Sequence, residues 1–299
     1  MASMATPLRV GLVGAGPWAT IAHAPLLAAG PATELAGVWA RRPEAATELA
    51  GRHGAVAFDR LEQLFDACDA VAFAVPPDVQ ADLAARAARA GKAVLLEKPL
   101  ATSLTLARRL ADAVLSSGVG SLMFLTWRYA PAVRSFLAEA AGGTWFGGRV
   151  RFVSGGLLGG SVFATPWRLE HGPLLDLGPH VVDLIDAALG RVVSVRTANG
   201  DPHGLVHLAL DHEGGAASVA SVCGTCPLQP SVAGAELFGP SGSLEVDCNA
   251  VRATAFARIA EELAVAARDR RHPLDVRRGL QIQEVLEAAR TALGERRTA

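Results

Sequence analysis

Short apolar runs alternate with longer segments of helical period through the first part of the chain. Leu8–Val13, Glu34–Ala40, Ala55–Ala57, Ala70–Val75, Val94–Leu96 and Ser121–Leu125 read as strands. Most are apolar at consecutive positions, as strands covered on both faces are. The segments between them predict helices. One follows Gly16 and ends at Ala29, before Gly30-Pro31, and the next covers Pro43–Gly51 with proline in its first turn. A third is capped by Asp59 and runs to Asp66, and a fourth is capped by Asp78 and runs to Ala90, closed by Gly91. Thr102 or Ser103 caps a fifth. Such β-α-β alternation with short loops predicts a doubly wound parallel sheet with right-handed crossovers.

Past Trp127-Arg128-Tyr129 the pattern changes. Pro131 opens a helix to about Ala140, and Arg149–Ser154 alternates polar and apolar, which leaves one sheet face open. Residues 155–172 read as a glycine-rich loop carrying Trp167 and Arg168. The next stretch, closed by Gly190, holds Asp176, His180 and Asp183 at i, i+4 and i+7. A continuous helix would align them on one face; a break at Pro179 would leave Asp176 ahead of the helix proper. Alternating segments near 192–198, 204–210, 216–222 and 232–238, with a Gly-Pro-Ser-Gly turn at 239–242, predict an antiparallel sheet. Arg258–Arg268 and Val276–Leu293 are closing helices. The chain thus reads as α/β: an N-terminal Rossmann domain over residues 1–126, then an α+β domain over 127–299 with a largely antiparallel, open-faced sheet.

Composition narrows the function. A chain of 299 residues exceeds the usual single core, in line with two domains. Net charge of −1 argues against nucleic acid and anionic membrane as partners. Apolar stretches are interrupted well before the ~18 residues of a membrane span. The opening residues are short and uncharged, so no signal peptide is expected and a cytoplasmic setting is. Four cysteines make no disulfide framework. Cys223 and Cys226 have redox spacing but follow an alternating strand, and no second pair completes a zinc site, so no metal is expected.

The chemistry gathers at strand ends. Gly14-Ala15-Gly16-Pro17-Trp18-Ala19 joins a strand to a helix as G-x-G-x-x-A, the dinucleotide fingerprint. Gly14 allows the tight turn and Gly16 lets a pyrophosphate approach the backbone. After Trp39, where a carboxylate would hold the ribose of NAD, stand Ala40, Arg41 and Arg42. Loss of the acid and gain of guanidinium suit a 2′-phosphate, hence NADP, with NAD as the alternative. Lys98 follows Val94–Glu97 at the edge where ligands bind in open parallel sheets. Of the 28 positive residues only Lys92 and Lys98 are lysines. Where arginine is used almost everywhere, a lysine here suggests chemistry that must exchange a proton.

The glycine turn, Ala74-Val75-Pro76-Pro77 after the fourth strand and Glu97-Lys98-Pro99 after the fifth together resemble the glucose–fructose oxidoreductase and inositol dehydrogenase family, Gfo/Idh/MocA. The resemblance covers nearly the whole chain. It implies that Val75 and Pro76 line the nicotinamide ribose, and that Glu97 and Lys98 meet the nicotinamide end and the substrate. Members often carry Asn and His after the proline, where this chain has Asp78 and Gln80, so Gln80 takes the place of one family cofactor contact. The family's Asp-x-x-x-His matches Asp176 and His180, which with Lys98 form the expected catalytic set. Trp127 and Arg128 join these as substrate candidates, and Trp167 and Arg168 belong to a loop that walls the site. The expected activity is NADP-dependent hydride transfer to or from a secondary alcohol or ketone of a sugar-like or cyclic polyol substrate. NAD-dependent glycoside cleavage and a non-catalytic dinucleotide sensor are the rival readings. A homodimer or homotetramer through the open sheet face is expected as well.

Overall fold

The computed structural model describes residues 6–249 and 252–297. Its chain divides into two compact units, Met1–Phe124 with Phe256–Leu280 and Leu125–Ala255 with Gln281–Ala299.

The first unit is built on a six-stranded sheet of β1 (Leu8–Val13), β2 (Thr33–Trp39), β3 (Val56–Ala57), β4 (Ala70–Phe73), β5 (Ala93–Leu96) and β6 (Ser121–Met123). The order is β3-β2-β1-β4-β5-β6 and every pairing is parallel. Sequence order therefore reverses between β1 and β4, where such sheets open a crevice at their C-terminal edge. Val94, Leu95 and Leu96 are wholly buried, as a strand covered on both faces requires. The glycine turn is followed by a π-helical turn, Ala19–His23, that runs into α1 (Ala24–Ala28). α2 (Pro43–Arg52), α3 (Leu61–Ala67), α4 (Pro77–Arg89) and α5 (Leu104–Ser117) complete the alternation.

Two expected caps are corrected. α3 starts behind Arg60, whose N–H donates to Gln63 Oε1 at 3.3 Å, so Asp59 lies outside the helix. α4 starts behind Pro76, and Asp78 is an acid in its first turn rather than its cap. Ser103 caps α5, its hydroxyl accepting from the N–H of Leu106.

The second unit holds β7 (Gly147–Val153), β8 (Val192–Gly200), β9 (Leu205–His212), β10 (Ala217–Cys223), β11 (Val232–Gly239) and β12 (Gly242–Asp247) in the order β12-β11-β7-β10-β9-β8. All pairs are antiparallel except β7 with β10. α6 (Pro131–Ala141), α7 (Pro166–Asp176) and α8 (Gly178–Leu189) belong to this unit, and α8 packs on β7 and β10. α9 (Arg252–Asp269) and α10 (Val276–Arg297) each pass from one unit into the other. Trp167 and Arg168, expected on a loop, lie on α7. Its helical run breaks at Gly172, with φ at 72°, before Pro173.

Candidate functional site

In the first unit the glycine turn is held from both sides. The N–H of Gly14 donates to Trp39 O of β2 at 2.8 Å, and that of Ala74 donates to Val13 O at 2.9 Å. Gly14 has φ of +117°, and a Cβ there would stand 2.4 Å from Ala74 O. Only glycine meets both conditions without strain. A Cβ on Gly16 would meet nothing within 4 Å, so the backbone faces open space, as approach by a pyrophosphate needs. Ala74 and Val75 are half-buried beside Gly14, and Pro76 and Pro17 are exposed. Trp39 Nε1 donates to Asp59 O at 3.3 Å. Arg41 and Arg42 are exposed behind β2, with Arg42 at the start of α2.

Glu97 is a buried junction at the end of β5. Its Oε1 accepts from Trp18 Nε1 and lies 2.7 Å from His23 Nε2, and its Oε2 accepts from the N–H of Lys98 at 3.2 Å. His23 is wholly buried and stacks on Phe124, ring centres 4.4 Å apart. Gln80, also wholly buried, reaches the same segment from α4: its Oε1 accepts from the N–H of Glu97 at 2.7 Å, and its Nε2 donates to Glu97 O at 2.9 Å. Both side chains thus bear on the backbone that carries Lys98. His23 was absent from the sequence expectations, because it lies 74 positions from Glu97 and belongs to no motif.

In the second unit Asp176 closes α7, while His180 and Asp183 lie on α8, so no single helix carries all three. Each is buried among partners. Arg168 Nε donates to Asp176 Oδ1 at 3.0 Å while its guanidinium lies 4.5 Å from the Trp167 ring centre. Arg128 Nη1 donates to Asp183 Oδ1 at 2.9 Å. His180 packs beside both Trp127 and Phe152, ring centres 5.2 and 5.9 Å away, and those two rings lie 5.1 Å from each other. This unit thus carries two largely buried charge pairs and a histidine packed against aromatic rings, polar groups of the kind that bind hydroxyls. Among the described residues no cluster of His, Cys, Asp and Glu could hold a metal ion, and no helix is long and apolar enough to cross a membrane.

The strand order and the glycine turn at its switch point define the first unit as a dinucleotide-binding domain. Residues 8–123 match the profile of the oxidoreductase family with an NAD-binding Rossmann fold, GFO_IDH_MocA. The chain is 31% identical over 206 residues to dTDP-3,4-didehydro-2,6-dideoxy-alpha-D-glucose 3-reductase of Streptomyces violaceoruber, covering 64% of this chain and 57% of that one. It thus spans about half the length of the curated relatives it matches. Among solved structures, GenD2 from gentamicin A biosynthesis in complex with NAD superposes with a TM-score of 0.86 at 26% identity, covering 98% of this chain and 96% of that one. KijD10, a 3-ketoreductase from Actinomadura kijaniata in complex with TDP-benzene and NADP, shares the fold, with a TM-score of 0.79 at 22% identity over 96% of this chain and 98% of that one.

Proposed function

We propose that the protein is an NAD(P)-dependent oxidoreductase that moves a hydride between nicotinamide and a secondary alcohol or ketone of a sugar-like or cyclic polyol. The observation that carries this reading is the end of β5, where Glu97 and Gln80 hold the main chain on either side of Lys98. The curated relative and the two solved neighbours described above act on sugars or bind nicotinamide dinucleotides by name, which supports the same reading.

Gly14 and Gly16 would hold the pyrophosphate, Val75 and Pro76 the nicotinamide ribose, and Trp18 and Glu97 the nicotinamide end. When bound, the nicotinamide supplies or accepts the hydride. The protein's task is the proton. Oxidation of an alcohol requires a base for the hydroxyl proton, and reduction of a carbonyl requires an acid for the developing alkoxide. Lys98 is assigned that role, since an ammonium can give up a proton that a guanidinium keeps. Asp176 and His180, with Trp127 and Arg128, are assigned to the substrate's hydroxyl groups. NADP is the preferred cofactor, because Ala40 replaces a ribose-binding acid and Arg41 and Arg42 stand exposed beside it. The residue division 1–126 and 127–299 serves as the corresponding split between cofactor and substrate domains.

The test is a panel of inositols, hexoses, sugar phosphates and nucleotide sugars, each incubated with NADP⁺ and with NAD⁺ and followed by nicotinamide absorbance. Turnover of at least one polyol or sugar is expected. Failure of the protein to bind either dinucleotide would overturn the reading.

A further inference from the structure

Gln80 spends every polar atom of its side chain on one short segment. Nε2 donates to the carbonyls of Glu97 at 2.9 Å and Leu100 at 3.2 Å and lies 3.5 Å from that of Pro99, while Oε1 accepts from the N–H of Glu97 at 2.7 Å. The side chain is 0% exposed. Burying an amide is costly unless it is bonded, and an apolar side chain would fill the same volume in α4. Only a group that both donates and accepts can satisfy a backbone N–H and carbonyls together, and glutamine carries both functions on one planar end. The bonds fall on Glu97 before Lys98 and on Pro99 and Leu100 after it. The N–H of Lys98 is taken by Glu97 Oε2 at 3.2 Å, and the other carboxylate oxygen meets Trp18 and His23.

We propose that Gln80 is a positioning residue for the reaction: it clamps the main chain on both sides of Lys98, so that the lysine amine works from a fixed base. This rests on the assignment of Lys98 as the proton-handling group. Gln80 does not itself meet the reacting atoms. Loss of the clamp lets the Lys98 backbone shift while α4 and the sheet remain, and misplacement by about 1 Å is enough to slow a reaction about 100-fold.

The chain's having only two lysines makes the clamp measurable without a substrate. Lys92, whose ammonium donates to Cys68 O at 3.0 Å, is the internal control. Limited acetylation with acetic anhydride, read by peptide mass spectrometry, gives the ratio of Lys98 to Lys92 labelling. Gln80→Met should change that ratio at least about threefold, with Lys92 labelling unchanged, and lower kcat about 10- to 100-fold on the best compound of the panel. Gln80→Glu keeps the acceptor but loses the donors, and it should change the ratio in the same direction if the methionine variant does not fold. An unchanged ratio in a folded variant overturns the clamp, whatever Lys98 does. Full turnover by Lys98→Met instead overturns the proton assignment, and with it any catalytic meaning of the clamp.

Discussion

Cys68 packs against Gly11 with its thiol wholly buried, and burial pushes that thiol up to about 11. Cys248 is pushed up to about 12 by the same cause. Cys223 is buried as well, whereas Cys226 is half-buried. The neutral thiol is the unreactive form. With a thiol-specific disulfide reagent at about pH 8, Cys226 should react first and Cys68 and Cys248 only on unfolding, with peptide mapping as the readout. Folded values above the ordinary thiol range of about 8.5 mean stability that is whole below that range and falls as pH rises toward 11. Urea midpoints should therefore drop between about pH 8 and about pH 10.5, and less so in Cys68→Ala. Arg41 and Arg42 carry a second prediction at this scale. A charge-assisted contact with a 2′-phosphate contributes about 1.5–3 kcal/mol, so replacing both with alanine should weaken NADPH at least about tenfold and leave NADH nearly unchanged. Equal dissociation constants for the two cofactors in the unaltered protein would remove the basis of that preference. Lys98 and the glycines were legible as single residues because each sits inside a short motif. His23 and the hydrogen bonds of Gln80 were not, since their partners lie 74 and 17 positions away and only the folded sheet brings them together.

At the scale of elements, the turn between β1 and the π-helical turn is the most constrained. A methyl group on Gly14 would meet Ala74 O at 2.4 Å and add strain at a φ of +117°. Gly14→Ala should therefore destabilise the first unit by about 1–3 kcal/mol and abolish dinucleotide binding, read by thermal unfolding and by NADPH fluorescence. Gly16→Ala, with open space around its Cβ, should keep the stability and lose only the cofactor. β4 and β5 were legible because burial on both faces writes them as unbroken apolar runs. β12 was not, because most of its residues are exposed or half-exposed and no apolar face marks it. The start of α7 was missed for a different reason. Glycines at 155, 156, 159 and 160 and the Gly172-Pro173 pair suggest a loop, and they outweigh the start signal of Thr165 at the cap and Pro166 at the first helical position. Asp59 and Asp78 misled as caps because a short acid near a helix start is compatible with either side of the boundary. The structure puts the cap one position after Asp59, at Arg60, and two positions before Asp78, at Pro76.

For the molecule as a whole, residues 256–280 group with the first unit although they follow the second in sequence. The N–H of Met123 on β6 donates to Leu274 O at 2.8 Å, so this returning segment covers the edge strand that ends the sheet. Helical periodicity predicts that such helices exist, but nothing in it says which sheet they join. The second unit leaves Val193, Leu205, Val219 and Phe238 exposed on four of its strands. We propose that this open face joins copies of the chain. Light scattering after gel filtration should give a dimer or tetramer, and Val219→Glu should reduce it toward monomer. A monomer at micromolar concentration in the unaltered protein would contradict that reading.

Lys98 is the residue we propose to exchange the proton that accompanies hydride transfer. Its most direct test is Lys98→Met, compared with the unaltered protein for NADPH affinity and for kcat on the panel's best compound. The dissociation constant for NADPH should stay within about threefold while kcat falls by about 10²–10⁴, the range of general acid–base catalysis. Near-normal kcat in a folded, cofactor-binding Lys98→Met protein would contradict it.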